Sequence, residues 1–375
     1  MKRLLSMLLI IIMVMTCYGP AFASERTLVD STSEGKQRVR EIQELRQENS
    51  DTYLLSDGTC ECVVYSEDKY FKNENGNYVV INNAVKPEKY KSVSNDYGFA
   101  NAANSFKVRF SDKKASVLIT TESECLAFSL INSEPKNVKV GAEGNSYRFQ
   151  EFNLRSNNCI TYVDAYKDTD IIYSVQNDYV KEYIVLKSPA AQSEFMFEVD
   201  TSNYDIIKEN NGNLRVCNKN GTPVFDFGSL FAVDSAGNYT DKLEYTVLKS
   251  TDNNTMIKVS FTSDYLEEAD RVFPVLIDPS VMVTGANKTK DSFVSSRYPS
   301  TNYYMQNWLK TGHDEDFGIR RSYVKFTLPD NITNSSIISA YINIKYYSGS
   351  APKLEAYRVI GSWTSNSLTW NNRPR

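Results

Sequence analysis

From Thr52 onward the chain is cut into short apolar runs by turn residues, a pattern with no room for long helices. TYLLSDGTCECVVYSED and KYFKNENGNYVVINNAV carry the hairpin signals Asp57-Gly58 and Asn75-Gly76. ASVLITT, CLAFSLI, DIIYSV, KEYIVLKS, EFMFEV and, after Asn220-Gly221, PVFDF continue the series. Each run is strand-length and rich in Val, Ile, Thr, Tyr or Phe, residues that suit a pleated, half-buried surface. The expected fold class is therefore all-β, a β-meander or sandwich body followed by an incomplete, jelly-roll-like β-sandwich domain. Pro274 and Pro279 in RVFPVLIDPSV close the body.

Ahead of the strands, Lys2 and Arg3, the apolar run Leu4 to Met15 and the small-residue tripeptide Ala21-Phe22-Ala23 have the order of an export signal, with cleavage expected after Ala23. Mass spectrometry of exported material should then find Ser24 as the first residue. Thr16 stands where a lipoprotein signal wants a smaller residue before Cys17. No stretch reaches the roughly 20 apolar residues that a membrane span needs, so the mature chain is expected to be secreted and surface-associated. From Ser31 to Ser50 the chain is charged, with apolar residues only at Val39, Ile42 and Leu45. That spacing gives a narrow stripe, so residues 24–50 read as a helical or flexible arm. Five cysteines follow the signal, Cys60, Cys62, Cys125, Cys159 and Cys217, too few and too scattered for a disulfide framework.

Charge marks a second boundary. From Asn287 to Arg375 there are twelve Lys or Arg against six Asp or Glu, whereas the whole chain is at −4. An acidic body, residues 51–283, thus meets a basic segment, residues 287–375. The acidic body argues against nucleic acid as its partner. The chain holds a single histidine, His313, beside Asp314, Glu315 and Asp316. Devices built on a buried, oriented imidazole are therefore unsupported, zinc-ligand spacing is missing, and no enzyme activity is expected. No cofactor is implied. The three acids offer oxygen ligands for a calcium ion, although such a run is more often simply solvated.

The basic segment supplies RSYVKFTL and SAYINIKYY, where strand alternation can be applied. Val324, Phe326 and Leu328 share one face, leaving Arg321, Tyr323 and Lys325 on the other. In the second run Ala340, Ile342, Ile344 and Tyr346 face inward, sending Tyr341, Asn343, Lys345 and Tyr347 outward. If both strands lie in one sheet, that outer face combines rings, on which sugars stack, with cations that pair with uronate carboxylates. The expected partner is a polysaccharide, acidic by preference, with Trp308 as a further candidate contact. Trp363 and Trp370 read more readily as packing residues.

The series DSFVSSRYPSTNYYMQNWLKTG, RRSYVKFTLPDNI, SAYINIKYY and YRVIGSWTSNSLTWNNRP resembles the DNRLRE domain, classed as carbohydrate-binding module family 96, over roughly its first half. Too few strands are present to close a sandwich, so a longer parent protein is expected. The earlier pieces VVYSEDKYFKNENGNYVVINN, DAYKDTDIIYSVQNDYVKEYIVLKS, GTPVFDFGSLFAVDSAGN and RVFPVLIDPSV resemble the N-terminal β-region of wall-associated proteins with YD (RHS-type) repeats. The resemblance implies a module that attaches a larger exported protein to wall or extracellular polysaccharide. The alternative is a structural front end of a YD-repeat protein or toxin with no sugar binding of its own. A third reading makes the parent a polysaccharide-degrading enzyme or nuclease toxin.

Overall fold

The computed structural model describes residues 9–15, 35–141 apart from 66 and 92–95, 156–283 apart from 211 and 252, and 290–374 apart from 305, 307–308, 327, 330–331, 333–336 and 345–353. Among these the secondary structure is strand with a few single turns of 3-10 helix, so the chain is all-β. No helix among them is long and apolar enough to cross a membrane.

Two large antiparallel sheets form the body. The first has the order 243–250, 254–261, 194–200, 125–130, 116–120, 107–110, 96–103 and 82–91. The second runs 137–140, 159–166, 169–175, 179–186, 281–283, 223–227, 214–218 and 204–208, with 232–234 and 275–277 branching from its middle. The sheets meet through one continuous core. Phe110, Val117, Ile119, Leu126, Phe128 and Phe195 enter it from the first sheet, and Ile160, Tyr162, Ile171, Tyr173, Ile184 and Phe225 from the second. Rings interlock across the gap: Phe110 stacks on Tyr173 at 5.7 Å and Phe128 meets Phe227 edge-on at 6.1 Å. Thr169–Val175 is buried along its whole length, because the second sheet is covered on its other face too, by Ile172, Tyr183, Val185, Phe231 and Leu276. Strands covered on both sides lose polar alternation, which is why DIIYSV reads as one apolar run.

The hairpin signals fall where turns occur. Gly58, Gly76 and Gly221 all adopt positive φ, which costs glycine nothing because it has no Cβ. The arm expected at 24–50 differs from the structure where it is described. Arg38–Glu41 is a strand paired with Ser50–Leu55, and Gln43–Leu45 is a single 3-10 turn. A three-residue spacing of apolar side chains is too sparse to anchor a helix, and sheet pairing wins. Residues 16–34, including the expected cleavage site, lie outside the described residues. Leu9–Met15 forms a strand parallel to Cys60–Tyr65 and to Ser339–Ile344.

The N-terminal sheet is held by Asp51. Its carboxylate accepts hydrogen bonds from Tyr70 at 2.6 Å, Tyr65 at 2.5 Å and Lys69 at 2.5 Å. Burial would raise this carboxyl, but the hydrogen bonds from Lys69, Tyr65 and Tyr70 together outweigh it and hold it below its ordinary value.

Glu182 shows the opposite balance. It projects into the main core, where the Tyr173 hydroxyl donates to one oxygen at 2.8 Å and the other oxygen finds no partner. Burial pushes its carboxyl up to about 8 from an ordinary 4.5. As pH rises the unfolded chain loses this proton first. Stability should therefore decline between about pH 4.5 and 8 and level off above. Glu67 and Asp291, raised by burial to about 8 and about 7, act in the same direction, so Glu182→Gln should make that decline shallower and stabilise the protein by a few kcal/mol, on the order of 1.4 per pKa unit, near pH 8. Denaturant titrations of both proteins across this range are the check.

Candidate functional site

The basic segment builds a three-stranded antiparallel sheet in which Gly318–Lys325 lies between Lys290–Ser295 and Gly312–Asp314. Its register sets Ser292 opposite Tyr323 and Val294 opposite Arg321, so these four share a face. Phe293 and Ser322 share the other.

The Phe293 face is closed by the body. Phe293 stacks on Tyr303 at 4.2 Å, and Phe317 lies against both. Tyr239, from the hairpin that joins 232–234 to 239–240, inserts beside them, 4.9 Å from Tyr298 and 5.0 Å from Phe317. Thr301 donates to Asp241 at 2.5 Å at the same junction.

The Tyr323 face is covered by the segment's own C-terminal coil. Tyr323, Val294 and Leu368 form a small core, with Val359, Trp363 and Trp370 packed against it. The Trp363 ring meets Tyr323 edge-on at 5.8 Å, and the Tyr323 hydroxyl donates to the Pro374 carbonyl at 3.2 Å. Asn302 pins this coil. Its buried amide donates to the carbonyls of Ser365 and Leu368, both at 2.6 Å. The Asn371 backbone N–H donates to the Pro299 carbonyl at 3.0 Å.

Expectation and structure therefore differ at Tyr323, which is buried rather than outward-facing. The alternation itself is present, but the coil roofs the middle of the face and leaves only its ends open. Arg321 and Lys325 are exposed at those ends, as expected. Leu328, placed inward by the same reasoning, is exposed. The assumption of one sheet also fails. Ser339–Ile344 pairs with Leu9–Met15 and not with Gly318–Lys325, so Tyr341 does not join Arg321 and Lys325 on one surface. Tyr341 is 40% exposed, and Ile342 and Ile344, expected inward, are exposed too. Lys345, Tyr347 and Trp308 lie outside the described residues.

What the structure does assemble is a cationic indole. The Arg321 guanidinium carbon lies 5.8 Å from the Trp370 ring centre, and that of Arg373 lies 3.7 Å away. Arg373 also donates to the Trp370 carbonyl. Sequence reasoning took Trp370 for packing and passed over Arg373. Packing describes only a portion of the half-buried indole, and nothing in strand periodicity places a coil residue over a strand 50 positions earlier. His313 is exposed on the edge strand, and Asp314 is paired with Arg320 at 2.6 Å. Among the described residues no group of three or more His, Cys, Asp or Glu side chains could hold a metal ion, so the acidic turn gives no support to a calcium site.

This strand-and-coil unit coincides with a known class of module: the family model of carbohydrate-binding module family 96 matches residues 283–375. Among individual proteins, the chain is 26% identical over 361 residues to a tRNA3(Ser)-specific nuclease WapA of Bacillus spizizenii, covering 89% of this chain and 15% of that protein. It is 25% identical over 361 residues to a tRNA(Glu)-specific nuclease WapA of Bacillus subtilis subsp. natto, with the same coverage. A tRNA nuclease WapA of Bacillus subtilis is 28% identical over 239 residues, 58% of this chain and 10% of that protein. The chain thus spans about a seventh or less of the length of these curated relatives. No solved structure matches it significantly. The names overturn the expectation that the chain does not belong to an enzyme. A single histidine in these 375 residues says nothing of the remaining 85–90% of proteins named for nuclease activity.

The burial of Tyr323 separates packing from surface. Tyr323→Ala should destabilise the segment by roughly 3–5 kcal/mol, and Asn302→Ala by about 1–3 kcal/mol, since it removes the donor from the Ser365 and Leu368 carbonyls. Arg321→Ser should stay within about 0.5 kcal/mol of wild type. Urea melts of the three variants give the comparison.

Proposed function

We propose that this chain is the exported front end of a wall-associated protein of the YD-repeat type, a longer molecule that acts as a tRNA-directed nuclease. Within it, residues 51–283 form the structural body, and residues 287–375 hold the molecule to carbohydrate at the cell surface. The relatives' names support the nuclease assignment, and the family 96 match supports the carbohydrate assignment.

The single observation that carries the sugar-binding reading is the Trp370 indole, approached by Arg321 and Arg373, with Lys325 exposed on the same strand as Arg321. The indole gathers the two guanidinium groups at one place, and guanidinium groups match carboxylate or phosphate geometry bidentately. The combination fits an anionic polysaccharide better than a neutral one. Charge pairs at so exposed a site are screened over about 8–10 Å at physiological ionic strength, so binding should weaken as salt is raised.

The test uses the longer protein that contains this chain, presented to acidic and neutral glycans. Acidic glycans should bind preferentially. The double variant Arg321→Ser, Arg373→Ser should lose about tenfold in affinity, equivalent to about 1.4 kcal/mol. Absence of binding to any acidic or neutral glycan at millimolar ligand would sink the sugar reading. Unchanged affinity in the double variant would sink this site. Either result leaves a structural casing as the better account of the segment. Incubation of the same protein with a tRNA pool tests the nuclease assignment separately.

A further inference from the structure

Lys181 stands in the middle of Tyr179–Leu186, and none of its side chain reaches solvent. Its amino group contacts one carboxylate oxygen, Oδ2 of Asp278, whose side chain is 3% exposed just beyond Val275–Ile277. The two strands are hydrogen-bonded neighbours, although the residues are 97 positions apart in the chain. Aromatic rings wall the site, with Tyr183 and Phe231 centred 5.8 and 6.0 Å from the nitrogen. The other carboxylate oxygen, Oδ1, accepts a hydrogen bond from the Ser280 hydroxyl and one from the Ser280 N–H at 3.2 Å.

We propose that Lys181 and Asp278 condense with each other, forming an amide cross-link between neighbouring strands of the body. Two opposite charges enclosed away from water have each given up hydration, and their attraction repays this incompletely. Moving one proton from Nζ to Oδ2 within the contact removes both charges and creates a free amine facing an un-ionised acid. Nζ then attacks Cγ, and the new C–N bond forms. Oδ1 carries the developing negative charge toward the two Ser280 donors, which are already in place as an oxyanion site requires. The Cγ–Oδ2 bond breaks, Oδ2 takes a second proton from nitrogen, and one water leaves. Nitrogen keeps one hydrogen, charge is conserved, and no oxidant, reductant or activating group enters.

Condensation of an amine with a carboxylic acid is slow in water because the partners are solvated and randomly placed. Here the sheet register holds them together, and fixed intramolecular partners reach effective concentrations on the order of 10⁵–10⁸ M. None of the five described cysteines is bridged, so this link would be a covalent staple in a body that has no disulfide among its described residues.

Mass spectrometry of the purified wild-type protein decides the matter. The intact mass should be lower than the sequence mass by one water. A tryptic digest should contain a branched peptide joining the Lys181 segment to the Asp278 segment, with no cleavage after Lys181. Lys181→Met and Asp278→Ala should each recover the full mass, a readout that does not depend on the variant folding. A wild-type protein of full sequence mass that trypsin cuts after Lys181 overturns the proposal. A water loss that maps instead to a succinimide at Asp57-Gly58 overturns it equally.

Discussion

Tyr179–Leu186 must satisfy two cores at once, and the arrangement of the body follows from that. Val180, Ile184 and Leu186 face the first sheet, while Tyr183 and Val185 face the opposite side. Three further partners, Thr169–Val175, Val275–Ile277 and Val281–Val283, take their register from this strand. A strand with both faces enclosed has no water to satisfy a polar side chain, so each polar group on it needs a protein partner or must give up its charge. Lys181 contacts Asp278, and Glu182 holds its proton while receiving the Tyr173 hydroxyl. Both are bound to the geometry of neighbouring strands. A slip of one residue in register would bury Lys181 where Glu182 now lies, against rings that offer no acid.

The sheet character of the chain was legible because its signals are local. Asp57-Gly58, Asn75-Gly76 and Asn220-Gly221 mark turns through the φ that glycine alone takes freely, and the runs between them have strand length. Which strand lies beside which was not legible. Val281–Val283 enters between Tyr179–Leu186 and Phe225-containing Pro223–Phe227, about a hundred residues from one partner and about sixty from the other. No periodicity within a run of six residues encodes that choice.

The candidate site shows the same limit at smaller scale. Alternation within RSYVKFTL correctly separates Tyr323 from Val324, but it cannot say which face the chain will later cover. That depended on Asn302 fastening a coil more than sixty residues downstream. Arg321 stayed outside because it sits at the end of the covered strip, where the coil brings Trp370 and Arg373 alongside it. The same coil that hides the tyrosine thus creates the cationic indole. SAYINIKYY was harder still, since alternation within it cannot name a neighbour, and Gly318–Lys325 is not the strand it pairs with.

The placement of Val281–Val283 also has a mechanical consequence. If the molecule is held at its basic segment, as proposed, tension on that segment is passed to the body at Val281–Val283. That strand is not at a sheet edge, where hydrogen bonds would break in succession like the teeth of a zip. It is flanked on both sides by antiparallel partners, so its bonds to Tyr179–Leu186 and Pro223–Phe227 share the tension. The rings around Tyr239 give the same force a second, lateral path into the hairpin at 232–240. Tethering at the basic end would therefore load the sandwich at an interior strand and not at an edge.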